Sequence, residues 1–426
     1  MRALLLGVAI VAATASPLTA CSSGEPASPS HGAAVAPAPT QSTPPPPPPG
    51  SLPDLFDVPI TQATDAERQL FHAGDRLFET PLRDADGLGP LYTRTSCGAC
   101  HVGGGRGPGA VQKMVVVLAD GVTPSLDQSA LPFGNTVHPL YTAGATQAIL
   151  APLGVPDLKV STRVGPPIVG RGYVEAVLDS EIERVALEQA SRADGIHGRI
   201  NHVVYASEAN PDTRFHRHKK GEVVIGRFGL KGRVATLDDF AADALQGDMG
   251  ITSPLRPAEL TNPDGLADDL KAGVDVSIDS VNLRAMYVRL TAIPQRNSTP
   301  QGAALFTQVK CGACHVPTLK TRADYPIAAL ANLDEPIYTD ILLHDMGDSL
   351  ADGIRDGEAT SRDWRTPPLI GLRFFTRFLH DSRAATLEEA ILMHDGRGSE
   401  AAPSVALFRA LSPADRATLL AFLGSL

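Results

Sequence analysis

Two five-residue motifs carry the clearest chemistry in the sequence: Cys97-Gly98-Ala99-Cys100-His101, the first motif, and Cys311-Gly312-Ala313-Cys314-His315, the second motif. In a Cys-x-x-Cys-His motif the two thiols form thioether bonds to the vinyl groups of a haem, and the adjacent His is placed to be the proximal iron ligand. The sequence therefore predicts two covalently bound haem c groups. Cys97, Cys100 and His101 would hold one group, and Cys311, Cys314 and His315 the other.

Zinc and a redox disulfide are the main alternative uses of paired cysteines. A closed zinc site needs four ligands, and neither motif is followed by the pair of His residues that a Cys₂His₂ site requires. A redox disulfide of the thioredoxin kind would lie in a βαβ unit, which neither motif has. The chain has 5 Cys, so Cys21 is left for a different role.

The N-terminal residues are typical of an exported lipoprotein. Residues 1–21 have a basic start and an apolar stretch too short to span a bilayer, and they end in Leu18-Thr19-Ala20-Cys21, which resembles a lipoprotein cleavage signal. An ordinary secretory signal is the alternative. Residues 22–58 are rich in Pro, Ser and Ala and predict a disordered tether. We expect a lipid on Cys21 to anchor the protein to a bacterial membrane, in the periplasm or elsewhere outside the cytoplasm.

The composition is that of a globular protein, with 43 % hydrophobic and 20 % charged residues in 426. This length allows two or three domains. The net charge of −10 argues against a nucleic acid as a partner, because phosphate binding needs a basic face. It permits a small redox protein of basic character as an electron donor.

A weak internal duplication organises the chain around the two motifs. Gly74-Asp75-Arg76-Leu77-Phe78 precedes the first motif and Gly302-Ala303-Ala304-Leu305-Phe306 the second, each within a predicted amphipathic helix. Downstream, Pro166-Pro167-Ile168-Val169-Gly170 corresponds to Pro367-Pro368-Leu369-Ile370-Gly371. We therefore predict a mainly α fold of two tandem cytochrome c-like haem domains, residues 59–295 and 296–426. The first domain would hold a loop-rich, partly β insertion.

Further elements are predicted from residue patterns. Helical patterns cover residues 181–193, 238–245, 280–291 and 412–423, the last with Ser412 and Pro413 as a cap pair and Gly424 as its stop. Two β-branched runs, residues 203–205 and 223–225, predict a hairpin in the insertion.

From about residue 74 to residue 426 the sequence resembles the bacterial c-type di-haem oxidoreductases of the peroxidase type and, more distantly, the di-haem cytochrome c peroxidases. The resemblance rests on both motifs and on ordered matches along the chain: Gly87-Leu88-Gly89-Pro90-Leu91, Gly165-Pro166-Pro167, Gly226-Arg227-Phe228-Gly229-Leu230-Lys231, Gly247-Asp248-Met249-Gly250-Ile251-Thr252-Ser253, Leu343-His344-Asp345-Met346-Gly347, Trp364-Arg365-Thr366-Pro367-Pro368-Leu369, Leu379-His380-Asp381 and Thr386-Leu387-Glu388-Glu389-Ala390-Ile391.

The resemblance implies a sixth iron ligand for the second haem. His394 follows His380 at the spacing where the peroxidases have a Met ligand and where rubber oxygenases have a His-ligated haem, and Met393 is the alternative. A calcium ion bound by some relatives is weakly supported, because only Asp194 of their acidic loop is present.

For the first haem the resemblance implies an open or weakly ligated iron. Asp248 would serve as acid and base toward peroxide, and Arg365 would stabilise negative charge or pair with a haem propionate. Arg163 has the same two options. Met249 and Met346 could ligate iron or pack on a haem face.

Trp364 could relay electrons between the haems or pack on a porphyrin.

These residues predict a peroxidase-like enzyme. One haem would transfer electrons from a small redox protein, and the other would activate hydrogen peroxide. A non-enzymatic electron-transfer cytochrome and an oxidase that uses dioxygen on a protein or polymer remain the alternatives.

The motifs make a prediction that is independent of fold. Replacing both Cys311 and Cys314 by Ala should halve the haem that stays attached to the denatured chain, because thioether bonds survive denaturation and coordination does not. Pyridine haemochrome spectra and haem staining on denaturing gels measure this. In the control, the Cys21→Ala variant should retain both haems, and it should no longer be found in the membrane fraction. Unchanged haem in the double variant would refute covalent attachment at the second motif.

Overall fold

The structure, a computed structural model, describes residues 57–102, 105, 110–267 and 271–426. The predicted signal peptide, Cys21 and nearly all of the predicted tether lie outside the described residues. Within the described ranges no helix is long and apolar enough to cross a membrane.

Helices take up 31 % of the described residues and strands 14 %. The α-helices of this part of the chain are α1 (Asp65–Glu79), α2 (Arg171–Ala176), α3 (Asp179–Ala190), α4 (Leu237–Met249), α5 (Ile278–Leu290), α6 (Pro300–Gln308), α7 (Leu387–Leu392), α8 (Ala402–Ala410) and α9 (Pro413–Ser425). The strands are β1 (Leu91–Tyr92), β2 (Ala110–Val116), β3 (Leu140–Tyr141), β4 (Leu158–Val164), β5 (His202–Val204), β6 (Val223–Ile225), β7 (Leu343–Asp345) and β8 (Asp363–Arg365).

Helix is therefore the main regular structure, but most described residues lie in loops. The 39 Gly and 36 Pro of the chain are a sufficient cause, because both residue types disfavour helix interiors. The strands pair in four two-stranded antiparallel sheets: β1–β3, β2–β4, β5–β6 and β7–β8.

The two helices predicted ahead of the motifs are confirmed as α1 and α6. Each packs against another helix through a glycine. A Cβ at Gly74 of α1 would lie 2.1 Å from the carbonyl oxygen of Leu283 in α5, and one at Gly302 of α6 would lie 2.3 Å from the Cβ of Phe422 in α9. Only glycine permits such close approach of two helices. The same crossing thus occurs ahead of both motifs.

Most of the other predicted elements are also confirmed. The predicted helices appear as α3, α4, α5 and α9, and Ser412 caps α9 by accepting a hydrogen bond from the backbone N–H of Asp415. Gly424 is not the stop, since α9 continues to Ser425. The predicted hairpin is β5–β6. The longest ladder, β2–β4, pairs seven residues of each strand and was not among the predicted elements.

The apolar core is divided into several clusters. The largest joins residues from both sides of the predicted boundary near residue 295, including Phe71 and Tyr287 on one side and Leu330 and Ile370 on the other. A second cluster lies wholly beyond residue 304 and surrounds Phe306 and Phe422. The limits of the two haem domains stay a prediction.

A buried ion cluster holds α5 to α2 and α4. The guanidinium of Arg289 lies 2.6 Å from Glu175 and 3.1 Å from Asp238, and its Cζ is 3.7 Å from the centroid of the Phe215 ring. Asp238 also bonds His216, at 2.8 Å. The side chain of His216 is therefore buried, although the adjacent basic residues suggest a solvated loop.

Arg289→Met should destabilise the fold strongly, because it leaves two buried carboxylates without their cation. The expected loss is about 3–5 kcal/mol in the free energy of unfolding, measured by denaturant titration. Arg184→Met is the matched control, since Arg184 pairs with Glu181 and Glu188 at the surface. It should cost less than about 1 kcal/mol. Equal losses in the two variants would contradict the assigned burial.

Candidate functional site

The second motif opens onto the main cavity of the described chain. The cavity has an empty volume of about 1710 Å³, counting its opening to solvent. Cys311, Cys314 and His315 line it, together with His394. Most of the remaining wall is apolar, and its larger side chains are Phe306, Leu372, Phe375, Phe378, Val405 and Leu423. We refer to this space as the second cavity.

The imidazoles of His315 and His394 are prepared as ligands in the same way. The Nδ1 atom of His315 lies 3.1 Å from the backbone oxygen of Tyr338, and that of His394 lies 2.6 Å from the backbone oxygen of Ala390. A carbonyl oxygen only accepts, so Nδ1 carries the proton and Nε2 keeps its lone pair. Burial lowers the pKa of His315 to about 4 and also lowers that of His394. Both rings are therefore neutral and able to bind a metal through Nε2.

The alternative sulfur donors differ in position. Met393 packs against the apolar cluster around Phe306 and is not among the residues that line the second cavity, whereas Met346 lines it. His394 and Met346 can thus supply a second ligand from the wall of the cavity, which also includes His380, stacked on Trp364. Met249 lies in a separate apolar cluster with Leu88 and Leu245, which is a packing role.

The first motif forms a tight turn beside α1. The backbone N–H groups of Cys100 and His101 both donate to the oxygen of Cys97, at 3.0 and 2.9 Å. Both thiols are half-buried and unpaired. The Nδ1 atom of His101 is buried without a hydrogen-bond partner in the described residues, and burial lowers the pKa of this ring to about 4. Two reduced thiols and a neutral imidazole are again presented together.

Asp248 lies at the first motif, near the end of α4. Its backbone oxygen accepts a hydrogen bond from Thr93, four residues before Cys97, at 2.7 Å. Burial, and after it the charge of Asp248, raises the pKa of the Cys100 thiol to about 11. Burial raises the pKa of Asp248 to about 6. A carboxyl group with that pKa can both take up and release a proton near neutral pH.

One loop connects the two motifs. A Cβ at Gly165 would lie 2.9 Å from the Cε1 atom of His101, so the backbone touches the face of this ring. The next residues, Pro166 and Pro167, line the second cavity, as does Arg171 at the start of α2. A single segment therefore contacts the His of the first motif and forms part of the wall at the second.

The two residues predicted to act on peroxide lie at different motifs. Arg365 lines the second cavity, where its Nε and Nη1 donate to the backbone oxygens of Gly229 and Thr366 at 3.0 and 2.9 Å. Asp248 is at the first motif. Arg365 lies at the second cavity because it ends β8. This strand and the Pro-Pro segment after it form part of the wall of the second cavity.

The guanidinium of Arg163 is already paired. It lies 2.6 Å from Asp352 and 2.8 Å from Asp356, so its charge is compensated inside the protein. Trp364 stacks on His380 with the ring centroids 3.9 Å apart, and the Nζ atom of Lys231 lies 4.2 Å from the indole centroid. Both aromatic rings line the second cavity.

The sequence matches the family described as "Di-haem oxidoreductase, putative peroxidase" over residues 110–426. The chain belongs to this family of di-haem oxidoreductases. The matched region includes the second motif and begins just after the first. No curated protein matches the chain significantly.

Solved structures of related oxidoreductases are similar at low identity. The di-haem peroxidase BthA of Burkholderia thailandensis is 17 % identical, with 84 % of this chain and 86 % of that chain covered and a TM-score of 0.39. Hydrazine synthase of Kuenenia stuttgartiensis is 14 % identical, with 87 % and 95 % covered and a TM-score of 0.33. A MauG-like protein associated with microbial copper homeostasis is 16 % identical, with 61 % and 89 % covered and a TM-score of 0.31.

Membership of a di-haem family implies haem cofactors, and the second cavity fits one. A haem needs a large apolar space, axial donors and a place for its attachment. The cavity is lined by apolar rings, presents the free Nε2 atoms of His315 and His394, and has the thiols of Cys311 and Cys314 in its wall.

Two charged residues that line the second cavity were not singled out by sequence reasoning. Arg171 lines the second cavity, and the only signal for it is its place just after the first Pro-Pro segment. His344, part of a motif already noted, lies 2.7 Å from Glu400 and 2.9 Å from Asp340 through its two ring nitrogens. Both nitrogens therefore carry protons, which excludes His344 as an iron ligand.

The acidic loop considered for calcium is occupied by cations from the protein. Asp194 lies 2.6 Å from Arg192 and 3.1 Å from Lys310. Across the described residues, no group of three His, Cys, Asp or Glu side chains could hold a metal ion.

His394→Ala should convert the haem of the second motif from a six-coordinate low-spin form to a five-coordinate high-spin form, because it removes the Nε2 donor. Electron paramagnetic resonance and absorption spectra of the oxidised protein measure the change. Met393→Leu is the matched control and should leave both spectra unchanged. A spin-state change in the Met393 variant alone would assign the ligand to the sulfur instead.

Proposed function

We propose that the protein is an exported, lipid-anchored c-type di-haem oxidoreductase that reduces hydrogen peroxide. Both haems are attached through thioether bonds, by Cys97 and Cys100 at the first motif and by Cys311 and Cys314 at the second. His101, His315 and His394 are the iron ligands. Export and the lipid on Cys21 rest on the N-terminal sequence.

The observation that carries this proposal is the difference between the two motifs. At the second motif two neutral imidazoles are held by backbone carbonyls with their Nε2 atoms free. A haem with both axial positions filled passes electrons and does not bind substrate. The Asp248 carboxyl, whose pKa burial raises to about 6, is a polar group at the first motif, where Glu79 and Arg284 lie as well. These differences support a proton-transfer role for Asp248 at the first motif and a ligand role for His394 at the second.

When bound, the haems supply the redox chemistry, one by storing and passing electrons and the other by binding peroxide. Reduction of hydrogen peroxide to two waters consumes two electrons and two protons. The electrons come from a small reduced redox protein. In this proposal the carboxylate of Asp248 would accept a proton from one oxygen of hydrogen peroxide and then return it to the leaving oxygen. The leaving group is then water instead of hydroxide.

The residues around Asp248 keep this proton available. Lys113 and Arg233 favour its charged form, while burial and the charge of Asp243 favour the neutral form. Arg233 is itself paired with Asp243, and Lys113 donates to Thr136 at 2.5 Å. The cations are thus engaged elsewhere, and burial keeps the pKa of Asp248 raised, at about 6.

Asp248→Asn should lower kcat/KM for hydrogen peroxide by about 10²- to 10⁴-fold, the usual contribution of a positioned acid–base group. In the wild type the carboxylate is the active form, so the rate of reaction with peroxide should rise as the pH increases through about 6. In the variant this rise should be absent. Stopped-flow mixing with peroxide and steady-state turnover with a reduced cytochrome or cupredoxin measure both quantities.

Asp120→Asn is the matched control, because Asp120 is an exposed carboxylate that bonds Thr123 in a loop. It should keep the wild-type rate and pH profile. Wild-type kinetics in the Asp248 variant would refute the acid–base role. Electron exchange without any peroxide turnover in the wild type would make the protein an electron carrier.

A further inference from the structure

Arg171 is a buried cation with an unused donor. It begins α2 and is 6 % exposed. Its Nε donates to the backbone oxygen of Pro167 at 2.9 Å, but its Nη1 atom is buried without a hydrogen-bond partner among the described residues. The side chain lines the second cavity. Burial is the main cause that lowers the pKa of Arg171, to about 9.

Arg365 is a second cation in the same wall. It is 4 % exposed, and its hydrogen bonds go to backbone oxygens only. Arg171 and Arg365 line the same cavity, and after burial the charge of Arg365 is the second cause that lowers the pKa of Arg171. In the part of the chain that the structure describes, neither has an ion pair with a carboxylate, whereas the equally buried Arg163 and Arg289 each have two.

Two like charges buried side by side without counter-ions are unfavourable, because each loses its hydration and gains no partner. A ligand with two carboxylates would compensate both. Guanidinium groups bind carboxylates in a bidentate way, with two parallel hydrogen bonds. A haem carries two propionate groups at one edge and thus has the required charge.

We infer that Arg171 and Arg365 together bind the two propionate groups of the haem in the second cavity. This inference rests on the haem occupancy of that cavity, which belongs to the proposed function. Arg171 comes from the chain segment of the first motif, and Arg365 from that of the second. The haem of the second motif is therefore held by both halves of the chain, and Arg171 is a positioning residue for it.

The midpoint potentials of the two haems in the full-length di-haem protein test this assignment. In Arg171→Met and Arg365→Met the second haem should be oxidised more easily, because an uncompensated propionate stabilises the ferric iron. We expect at least a tenfold change in its one-electron equilibrium constant, about 59 mV to lower potential. Spectroelectrochemical titration measures it, and the propionate bending bands in resonance Raman spectra should shift as well.

Arg373→Met is the matched control. Arg373 is exposed, does not line the cavity and also donates to backbone oxygens, those of Ser425 and Gln295. Its variant should keep both potentials. Unchanged potential and Raman bands in both cavity variants, with the haem still attached, would overturn the inference. A wild-type chain without haem at the second motif would instead refute the proposed function.

Two milder variants decide the matter if Arg171→Met does not accumulate. Arg171→Lys keeps the charge, and Arg171→Gln keeps a donor for the Pro167 oxygen without the charge. If Arg171 binds a propionate, the midpoint potential of the second haem should stay near the wild-type value in Arg171→Lys and should be lower in Arg171→Gln. A merely structural role at the start of α2 would give the wild-type potential in Gln, and that result would overturn the assignment.

Discussion

Protein interiors are close-packed, and the second cavity interrupts that packing over a volume that no side chain fills. A large apolar group in this space would contact the apolar side chains around it. Phe306, Phe378 and Leu423 face it, and they also belong to the apolar cluster that holds α6 against α9. A haem bound here would therefore pack against the same residues that hold α6 to α9.

The two motifs share one construction but differ in what surrounds them. At each, a helix crosses another through a glycine, and a Cys-x-x-Cys-His turn presents two thiols and a neutral ring. The second motif adds His394, whereas the first has Asp248 nearby. A repeated scaffold with different neighbours can give two haems different tasks, since axial ligation and nearby proton donors set the behaviour of a haem iron.

Local patterns made much of this predictable from sequence. The haem motifs depend on contiguous residues, and the helices around Gly74 and Gly302 depend on periodicity and caps. The arginines were harder, because the charge balance of Arg171 and Arg365 depends on residues far away in the chain. Arg163 has the same placement before a Pro-Pro segment as Arg365, yet only Arg163 meets carboxylates. The β2–β4 ladder was overlooked because its strands are separated by a long, turn-rich stretch.

The loop from Gly165 to Arg171 would affect electron transfer between the two motifs. Its backbone touches the ring of His101, and its proline side chains form the wall of the neighbouring cavity. A single chain segment thus lies between His101 and the second cavity. The prolines of this segment have restricted backbone torsions. Electron tunnelling across this segment would cover a nearly constant distance. The rate of electron tunnelling would then depend on the difference in redox potential more than on thermal opening and closing of the fold.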